Sequence, residues 1–352
     1  MDAILIIGIL ALEIISLIVL HSTSNQNLAL VGKQLVNFGI AGIVMLIVAK
    51  IPVHYWQNLS PWFFSIIVIV LVGVLMFGTS SKGGQRWINL GFLHFQPSEI
   101  MKITLPMMLA WYLADKRTPL GIKHLFWCLL IILLPMLLIA KQPDLGTAIL
   151  VSLTGFWVIL LAGVSWKVQF GGIMASLAIA PLGWKFMYSY QKMRLLIFLS
   201  PESDPLNRGY NVIQSKIALG SGGLWGKGWL HGSQAHLNFL PEATTDFAFA
   251  VCGEEFGFIG CLVIFSIFGI IISRALYIAA NAQDTFSRLL SGSFSISIFC
   301  SVFVNVGMVS SILPVVGVPL PFISYGGSSV MMLLISLRII MSINSNRRLI
   351  SS

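Results

Sequence analysis

Apolar runs of about 17 to 25 residues recur from one end of the chain to the other, and this pattern restricts the fold more than any other feature. A helix of that length crosses about 30 Å of hydrocarbon. Backbone amides in lipid find partners only within a helix or a closed barrel, so the runs are predicted to be helices. The chain is therefore predicted to be an all-α polytopic membrane protein. Its ten predicted spans are roughly 4–20, 33–50, 62–78, 97–114, 124–140, 144–163, 168–187, 247–274, 287–311 and 327–345.

The composition excludes the soluble classes of protein. Of the 352 residues, 57% are hydrophobic and only 9% are charged, and the mean hydropathy is +0.91. The net charge of +9 would suggest a nucleic-acid partner in a soluble protein, but the basic residues are scattered over short loops, so no nucleic-acid partner is predicted. The four cysteines lie in apolar stretches without paired spacing and are interpreted as packing residues, not disulfides or metal ligands.

The positions of the basic residues predict the orientation in the membrane. Cytoplasmic loops carry an excess of Lys and Arg, and placing both termini in the cytoplasm puts most of these residues inside. The first run is interpreted as a span, not as a removed signal peptide, because no basic segment precedes it. The basic residues predicted to lie inside are Lys50, Lys116, Arg117, Lys123, Lys167, Arg274, Arg288, Arg347 and Arg348.

The whole chain, 1–352, is predicted to form a single membrane domain with three substantial loops on the outer face. The alternation within 78–97 suggests a short hairpin. The loop at about 188–245, between the seventh and eighth spans, is the longest and is too apolar to be disordered. Within it, Asn211 to Leu219 is predicted to be an amphipathic helix that lies on the membrane surface or folds back between helices. The third loop, 313–328, is rich in Pro and Gly.

A carboxylate, Asp246, stands directly before the eighth span. Thr244-Thr245-Asp246 before an apolar run is typical of a helix N-cap, and residue chemistry alone favours capping over catalysis. Glu254 and Glu255 lie about 80° and about 180° around the helix from Asp246, so the three carboxylates are not predicted to form one cluster. The two glutamates are expected to contact neighbouring helices. Gly253 and Gly257, spaced as G-x-x-x-G, are expected to allow close helix packing there.

Ionisable residues within or beside the other spans leave alternatives open. Glu99 and Lys102 share a helical face, either as a self-neutralising ion pair with Ser98 capping the helix, or as a site where Lys102 binds an anion. Asp144 at a helix start is best explained by capping. The basic residues of the outer loops contact lipid headgroups or bind an anionic ligand such as a pyrophosphate. They include Arg86, Lys192, Arg194, Arg208, Lys216 and Lys227.

Eight segments together resemble the SEDS family (shape, elongation, division and sporulation), the RodA/FtsW peptidoglycan polymerases. They occur in the family's order across nearly the whole chain, and the Pro319-Leu-Pro321 form of the last one is more similar to RodA than to FtsW. The segments are Gly84-Gln-Arg-Trp-Ile88, Phe95-Gln-Pro-Ser-Glu-Ile-Met-Lys102, Gln142-Pro-Asp-Leu-Gly146, Gly209-Tyr-Asn-Val-Ile-Gln-Ser-Lys-Ile217, Phe239-Leu-Pro-Glu242, Thr245-Asp-Phe247, Gly253-Glu-Glu255 and Leu320-Pro-Phe-Ile-Ser-Tyr-Gly-Gly-Ser328.

The resemblance implies a ten-helix glycosyltransferase in the bacterial cytoplasmic membrane. Such an enzyme polymerises lipid II into β-1,4 glycan strands on the outer face during cell elongation and shape maintenance. It also implies a partner, a class B penicillin-binding protein that cross-links the glycan, together with other proteins of the elongation complex. Two alternatives remain: a lipid II flippase, and a non-catalytic scaffold of the wall-synthesis complex.

The resemblance also implies roles for individual residues. The family's essential aspartate corresponds to Asp246, and a carboxylate there can act as general base on the acceptor hydroxyl. The family usually has His before Thr-Asp-Phe, whereas this chain has Thr244. A divalent cation, Mg²⁺ or Mn²⁺, is a candidate cofactor that the sequence does not specify. The residues implied in substrate binding are Arg86, Glu99, Lys102, Arg194, Gln214, Lys216 and Ser324.

Overall fold

Helices account for nearly all of the regular structure in this computed structural model, which describes residues 2–81, 84–89, 94–116, 119–172, 174, 178, 185, 189–200, 209–237 and 239–345. A small sheet lies between α3 and α4. The helices are α1 (Ala3–Thr23), α2 (Leu28–Val48), α3 (Val53–Phe77), α4 (Pro97–Leu113), α5 (Ile122–Lys141), α6 (Leu145–Leu161), α7 (Ser189–Leu199), α8 (Tyr210–Ser221), α9 (Ser233–His236), α10 (Ala248–Ala280), α11 (Thr285–Val309) and α12 (Ser328–Ser345), and the strands are β1 (Thr79–Ser81), β2 (Gly84–Asn89) and β3 (His94–Phe95).

Seven of the described helices are long and apolar enough to cross a membrane: α1, α2, α3, α5, α10, α11 and α12. The apolar helix α6 and the helix α4 have 17 residues each. Nine of the ten predicted spans coincide with a described helix, and most of the tenth, 168–187, lies outside the described residues. The all-α polytopic fold is confirmed, whereas the total of ten spans is not tested. Helix α3 starts at Val53, well before the predicted residue 62, and continues through Pro61.

Two features predicted for the loops between spans, a hairpin and an amphipathic helix, are confirmed. Within 78–97, β1 pairs with β2 and β2 pairs with β3, both antiparallel, which gives the sheet order β1-β2-β3. The predicted amphipathic helix is α8, which folds back against α10 and α11. Its buried face carries Ser215, whose hydroxyl donates to the carbonyl oxygen of Val309 at the end of α11 (3.0 Å).

Helix α10 packs against α1, α8, α11 and α12. Its C-terminal part is joined to the N-terminal end of α1, because the Asp2 carboxylate lies 2.8 Å from Nη2 of Arg274 and 3.1 Å from Nδ2 of Asn344 in α12. Burial alone would raise the pKa of Asp2. Hydrogen bonds from Arg274 and the Leu5 amide, together with the charge of Arg274, outweigh burial and lower that pKa.

Helix α10 is broken at Gly257, where φ is +66° and ψ is −165°. The close packing expected at Gly253 and Gly257 is confirmed, against Leu219 of α8 and against the loop after α8 respectively. The interruption of the helix by the left-handed φ of Gly257 was not predicted. The loop after α8 enters the break, and a Cβ on Gly257 would overlap the amide of Gly226. Four main-chain hydrogen bonds join the loop to the break: Lys227 N to Glu254 O (2.9 Å), Gly228 N to Glu255 O (3.0 Å), Phe258 N to Gly223 O (2.9 Å) and Ile259 N to Leu224 O (3.2 Å).

Replacing Gly257 by alanine is expected to destabilise the protein. A side chain at positive φ costs about 1 to 3 kcal/mol, and the overlap with the Gly226 backbone adds to that cost. The measurement is the thermal unfolding midpoint of the purified protein in detergent. The matched control is Gly269→Ala in the same helix, where no other atom lies within 4 Å of the added Cβ. Equal midpoints for the two variants would contradict the strained break.

Candidate functional site

Asp246 lies in a turn at the N-terminal end of α10 and is half-buried. The N-cap of α10 is Phe247, so Asp246 stands one residue outside the capping position and the capping interpretation is wrong. The turn is held by the Pro- and Gly-rich loop 313–328, because the Thr244 carbonyl accepts a hydrogen bond from the Tyr325 amide (2.9 Å). This hydrogen bond, together with one from the Ser324 hydroxyl to the Thr245 carbonyl, brings residues 244–246 and 324–325 together.

Asn305 in α11 also holds this turn. Its side chain is fully buried, and its Nδ2 donates to the carbonyl oxygens of Asp246 (2.9 Å) and Val318 (2.7 Å). Sequence reasoning missed this residue. The signal was present, because burying a carboxamide inside an apolar span costs free energy unless it forms hydrogen bonds. Asn305 thus joins the Asp246 turn to the start of the Pro-rich loop.

The segment 315–318 passes directly in front of the Asp246 carboxylate. Gly317 has φ +75°, and a Cβ there would lie 3.3 Å from Oδ2 of Asp246. The carbonyl oxygen of Val316 accepts from Nη1 of Arg194 (3.3 Å), and the same carbonyl lies against Gly146 at the start of α6. One extended segment therefore contacts Asp246, Arg194 and α6.

A cleft of about 360 Å³ opens between α7, α8 and this segment. Arg194 is exposed and is the cationic side chain among the described lining residues, which are otherwise mainly apolar. Such a lining fits an anionic group attached to an apolar chain. The lining residues are Arg194, Ile197, Phe198, Asn211, Val212, Leu313 and Val315.

Arg86 projects from β2 onto the turn before α6. Its guanidinium donates to the carbonyl oxygens of Gln142 (3.2 Å) and Pro143 and lies 3.6 Å from Oδ2 of Asp144. The other oxygen of Asp144 accepts from the Thr147 amide (3.2 Å), so the capping role predicted for Asp144 is confirmed. The structure therefore places Arg86 in an internal network.

Glu99 and Lys102 form an ion pair near the start of α4, with 2.6 Å between Oε1 and Nζ. The expected cap is wrong: Gln96 is the N-cap without a side-chain hydrogen bond, and the buried hydroxyl of Ser98 has no partner in the described part of the chain. The helix begins with Pro97, whose fixed φ suits the first helical position. The pair lines a cavity of about 50 Å³ beside Val318–Pro321, enough for a few water molecules. Anion binding by Lys102 stays a prediction.

The other predicted binding residues lie near the turn or on α8. Ser324 is buried, and its hydroxyl accepts from the Leu320 amide (2.8 Å) and donates to the Thr245 carbonyl. In this conformation Ser324 supports the Asp246 turn. On α8, Gln214 is half-exposed and Lys216 is exposed, on either side of the buried Ser215. Ligand contacts of Ser324, Gln214 and Lys216 stay predictions.

The two glutamates of α10 contact different parts of the fold. Glu255 accepts a hydrogen bond from Ser22 at the C-terminal end of α1, as expected for contact with a neighbouring helix. Glu254 contacts the loop after α8 instead of a spanning helix, through Lys227 and residues 233–234. Sequence reasoning missed this contact, because it spaced the carboxylates along an unbroken helix.

The residues that the structure describes contain no group of three or more His, Cys, Asp or Glu side chains that could hold a metal ion. A magnesium ion bound with phosphates needs fewer protein ligands, usually one or two carboxylates. The described donor set therefore does not fit a metal held by the protein alone. A divalent cation stays a candidate cofactor only as a companion of a phosphate-bearing substrate.

Comparison with known proteins gives matches over nearly the whole chain. The model of the FTSW_RODA_SPOVE family, described as cell cycle protein, matches residues 1–349. Peptidoglycan glycosyltransferase MrdB of Escherichia coli (strain K12) is 45% identical over 352 residues, which cover 100% of this chain and 95% of that protein. Peptidoglycan glycosyltransferase RodA of Treponema pallidum (strain Nichols) is 31% identical over 424 residues, with 98% of each chain covered.

Solved structures share the fold. A chain of a peptidoglycan synthase complex that coordinates polymerization and crosslinking superposes with a TM-score of 0.86 at 29% identity, covering 99% of this chain and 98% of that chain. The rod shape determining protein RodA of Thermus thermophilus superposes with a TM-score of 0.75 at 25% identity, covering 99% and 97%. Both similarities extend over the Asp246 turn and the loops around it.

The Glu99–Lys102 pair gives a testable double-mutant cycle. Removing one partner leaves a poorly solvated charge, so Glu99→Gln and Lys102→Met are each expected to destabilise the protein by about 3 kcal/mol, the low end for buried pairs because Lys102 remains partly exposed. The double variant should recover most of that loss. Thermal unfolding in detergent measures the coupling, and additive losses would contradict it. Full activity of the double variant would show that the pair is only structural.

Proposed function

The chain belongs to the FtsW, RodA and SpoVE family of cell cycle proteins, and on that premise we propose that it polymerises lipid II with Asp246 as the general base. It is a peptidoglycan glycosyltransferase, as its relatives of 45% and 31% identity over nearly their whole lengths are. The observation that supports Asp246 is its setting. It is a half-buried carboxylate outside the helix cap, with its main chain held by α11 and the third outer loop.

The proposed reaction transfers a sugar from a polyprenyl pyrophosphate to an acceptor hydroxyl. The hydroxyl oxygen attacks the anomeric carbon, and its proton passes to the Asp246 carboxylate as the new C–O bond forms. The bond from the anomeric carbon to the pyrophosphate oxygen breaks, and the pyrophosphate leaves with that electron pair. General base catalysis of this kind contributes about 10² to 10⁴-fold to a rate.

Arg194 is the proposed partner of the leaving pyrophosphate. A planar guanidinium binds phosphate oxygens in bidentate fashion. Arg86 and Lys102 are already paired with Asp144 and Glu99, whereas the described hydrogen bond of Arg194 is to the neutral carbonyl of Val316. The apolar lining of the adjacent cleft suits the first part of a polyprenyl chain. A Mg²⁺ or Mn²⁺ ion would enter with the pyrophosphate and add to the charge of Arg194.

A class B penicillin-binding protein is the proposed partner of the chain. The support is the similarity, at a TM-score of 0.86, to a chain of a peptidoglycan synthase complex that coordinates polymerization and crosslinking. A polymerase whose product is cross-linked next to it needs a transpeptidase on the same membrane face. Its activity should therefore be assayed both alone and with that partner.

The proposed location is the bacterial cytoplasmic membrane, with both termini in the cytoplasm and Asp246 on the outer face. The bias of Lys and Arg toward one set of loops supports this orientation. We expect a membrane-impermeant maleimide added to spheroplasts to label Leu237→Cys, an exposed position in the long loop. It should label Lys167→Cys only after permeabilisation. The opposite labelling pattern would refute the orientation.

Asp246 and Arg194 are expected to affect different kinetic constants. Asp246→Asn should lower kcat for lipid II polymerisation by about 10² to 10⁴-fold, because the base is lost, with little change in KM. Arg194→Gln should raise KM by about 10 to 100-fold, as expected for a lost hydrogen bond to a charged group worth about 1.5 to 3 kcal/mol. The assay uses purified protein and lipid II, with and without Mg²⁺ or Mn²⁺.

Two variants on the opposite side of the molecule serve as controls. Asp284→Asn keeps a good N-cap at the start of α11, and Arg288 is exposed in the first turn of the same helix, so Asp284→Asn and Arg288→Gln should keep wild-type kinetics. Full polymerisation by Asp246→Asn would refute the base assignment. If that variant also moved labelled lipid II across liposomes, the flippase alternative would replace it.

A further inference from the structure

We infer that Glu254 and Lys227 are positioning residues that hold the outer part of α10, and with it Asp246, at a fixed angle. They do so by locking the loop 222–234 into the break at Gly257. This inference rests on the function proposed for Asp246. The loop 222–234 and the helical segment 248–256 that it contacts are together called the α10 clamp below.

The first support is the way in which the break is closed. A helix interrupted at Gly257 leaves main-chain groups on either side without their usual partners. The four hydrogen bonds from residues 223–228 supply those partners in both directions, two as donors and two as acceptors. The loop therefore takes the place of the missing helical turn. It also fixes the helical segment on the outer side of the break relative to the segment on the inner side.

The second support is the fit between the loop and the helix. Gly222 and Gly226 lie against the carbonyl groups of Gly253 and Glu255, and a Cβ at either glycine would overlap them. Gly226 also has a φ of +79°, which favours glycine. These two backbone-to-backbone contacts restrict the position of the loop in the break.

The third support is the number of donors that meet at Glu254. Its side chain is fully buried, and Oε1 lies 2.6 Å from Nζ of Lys227. The same oxygen accepts from the amide of Ser233 (2.9 Å) and its hydroxyl (2.9 Å), and Oε2 accepts from the amide of Gln234 (3.1 Å). A buried carboxylate is tolerable only when such donors satisfy it. Lys227 lies in the first half of the loop and residues 233–234 lie at its end. The Glu254 carboxylate therefore binds both parts of the loop to α10.

The distance from the break at Gly257 to Asp246 explains why the clamp must be rigid. The 11 residues from Gly257 to Asp246 correspond to about 16 Å of helix at about 1.5 Å per residue. A tilt of about 5° at the break would move Asp246 by about 1.4 Å if nothing else held it. A misplacement of about 1 Å can cost about 10²-fold in rate. Asn305 and Tyr325 hold the Asp246 end of this segment, and the clamp holds the Gly257 end.

The test replaces Lys227 by methionine, which removes the charge but leaves Glu254 its three donors from residues 233–234. The protein is assayed in lipid nanodiscs with lipid II. We expect kcat per folded protein to fall about 10 to 100-fold with KM within about twofold of wild type. Amide hydrogen exchange should rise in 222–234 and 257–260 and remain unchanged in α11. Lys227→Arg should restore both readouts, and Lys33→Met, which removes an exposed lysine of α2, should change neither.

Each other outcome contradicts the clamp in a defined way. Unchanged exchange in Lys227→Met means that Lys227 does not fasten the loop. Raised exchange with a wild-type kcat means that the loop does not position the base, and a loss of activity that only follows the folded fraction means a purely structural role. These failures differ from a failure of the proposed function, which would appear as full activity of Asp246→Asn whatever Lys227→Met does.

Discussion

Main-chain amides and carbonyls within the hydrocarbon of the membrane need partners within the protein, and the architecture around Asp246 follows from this requirement. Most of the described chain meets it with unbroken helices. Helix α10 does not, because Gly257 interrupts it. The loop after α8 meets the requirement there, because its main chain supplies the hydrogen bonds that the interrupted helix lacks. The same loop carries the lysine that neutralises a buried glutamate.

Charged residues around the site also find partners within the protein, and three described pairs of opposite charge show this. Arg86 lies beside Asp144, Lys102 is paired with Glu99, and Lys227 is paired with Glu254. Each pair fastens one element: the sheet, the start of α4 or the loop after α8. These pairs build the walls of the site. Asp246 and Arg194, the residues proposed to act on the substrate, meet the segment 315–318 from different sides.

Much of the fold could be predicted from the sequence because the length of each apolar run is set by the thickness of the membrane. The hairpin within 78–97 and the amphipathic α8 were also predictable, since each has its own periodicity. The break in α10 was not, because the spacing of Gly253 and Gly257 equally suits a continuous packed helix. The Glu254–Lys227 contact depends on that break and was missed with it. Asn305 was missed because one amide in an apolar run does not reveal what it bonds.

Asn305, Ser324 and Tyr325 all follow Asp246 in the chain, and this order has a consequence for synthesis in the cell. The roughly 80 residues from Asp246 to Tyr325 take about 4 to 16 s to make at roughly 5 to 20 residues per second. During that interval the turn that carries Asp246 has left the ribosome without the groups that hold it. A nascent chain stopped within α11 would thus have nearly all of its helices and no assembled centre. Activity therefore arises late in translation, when α11 and the loop before α12 are in place.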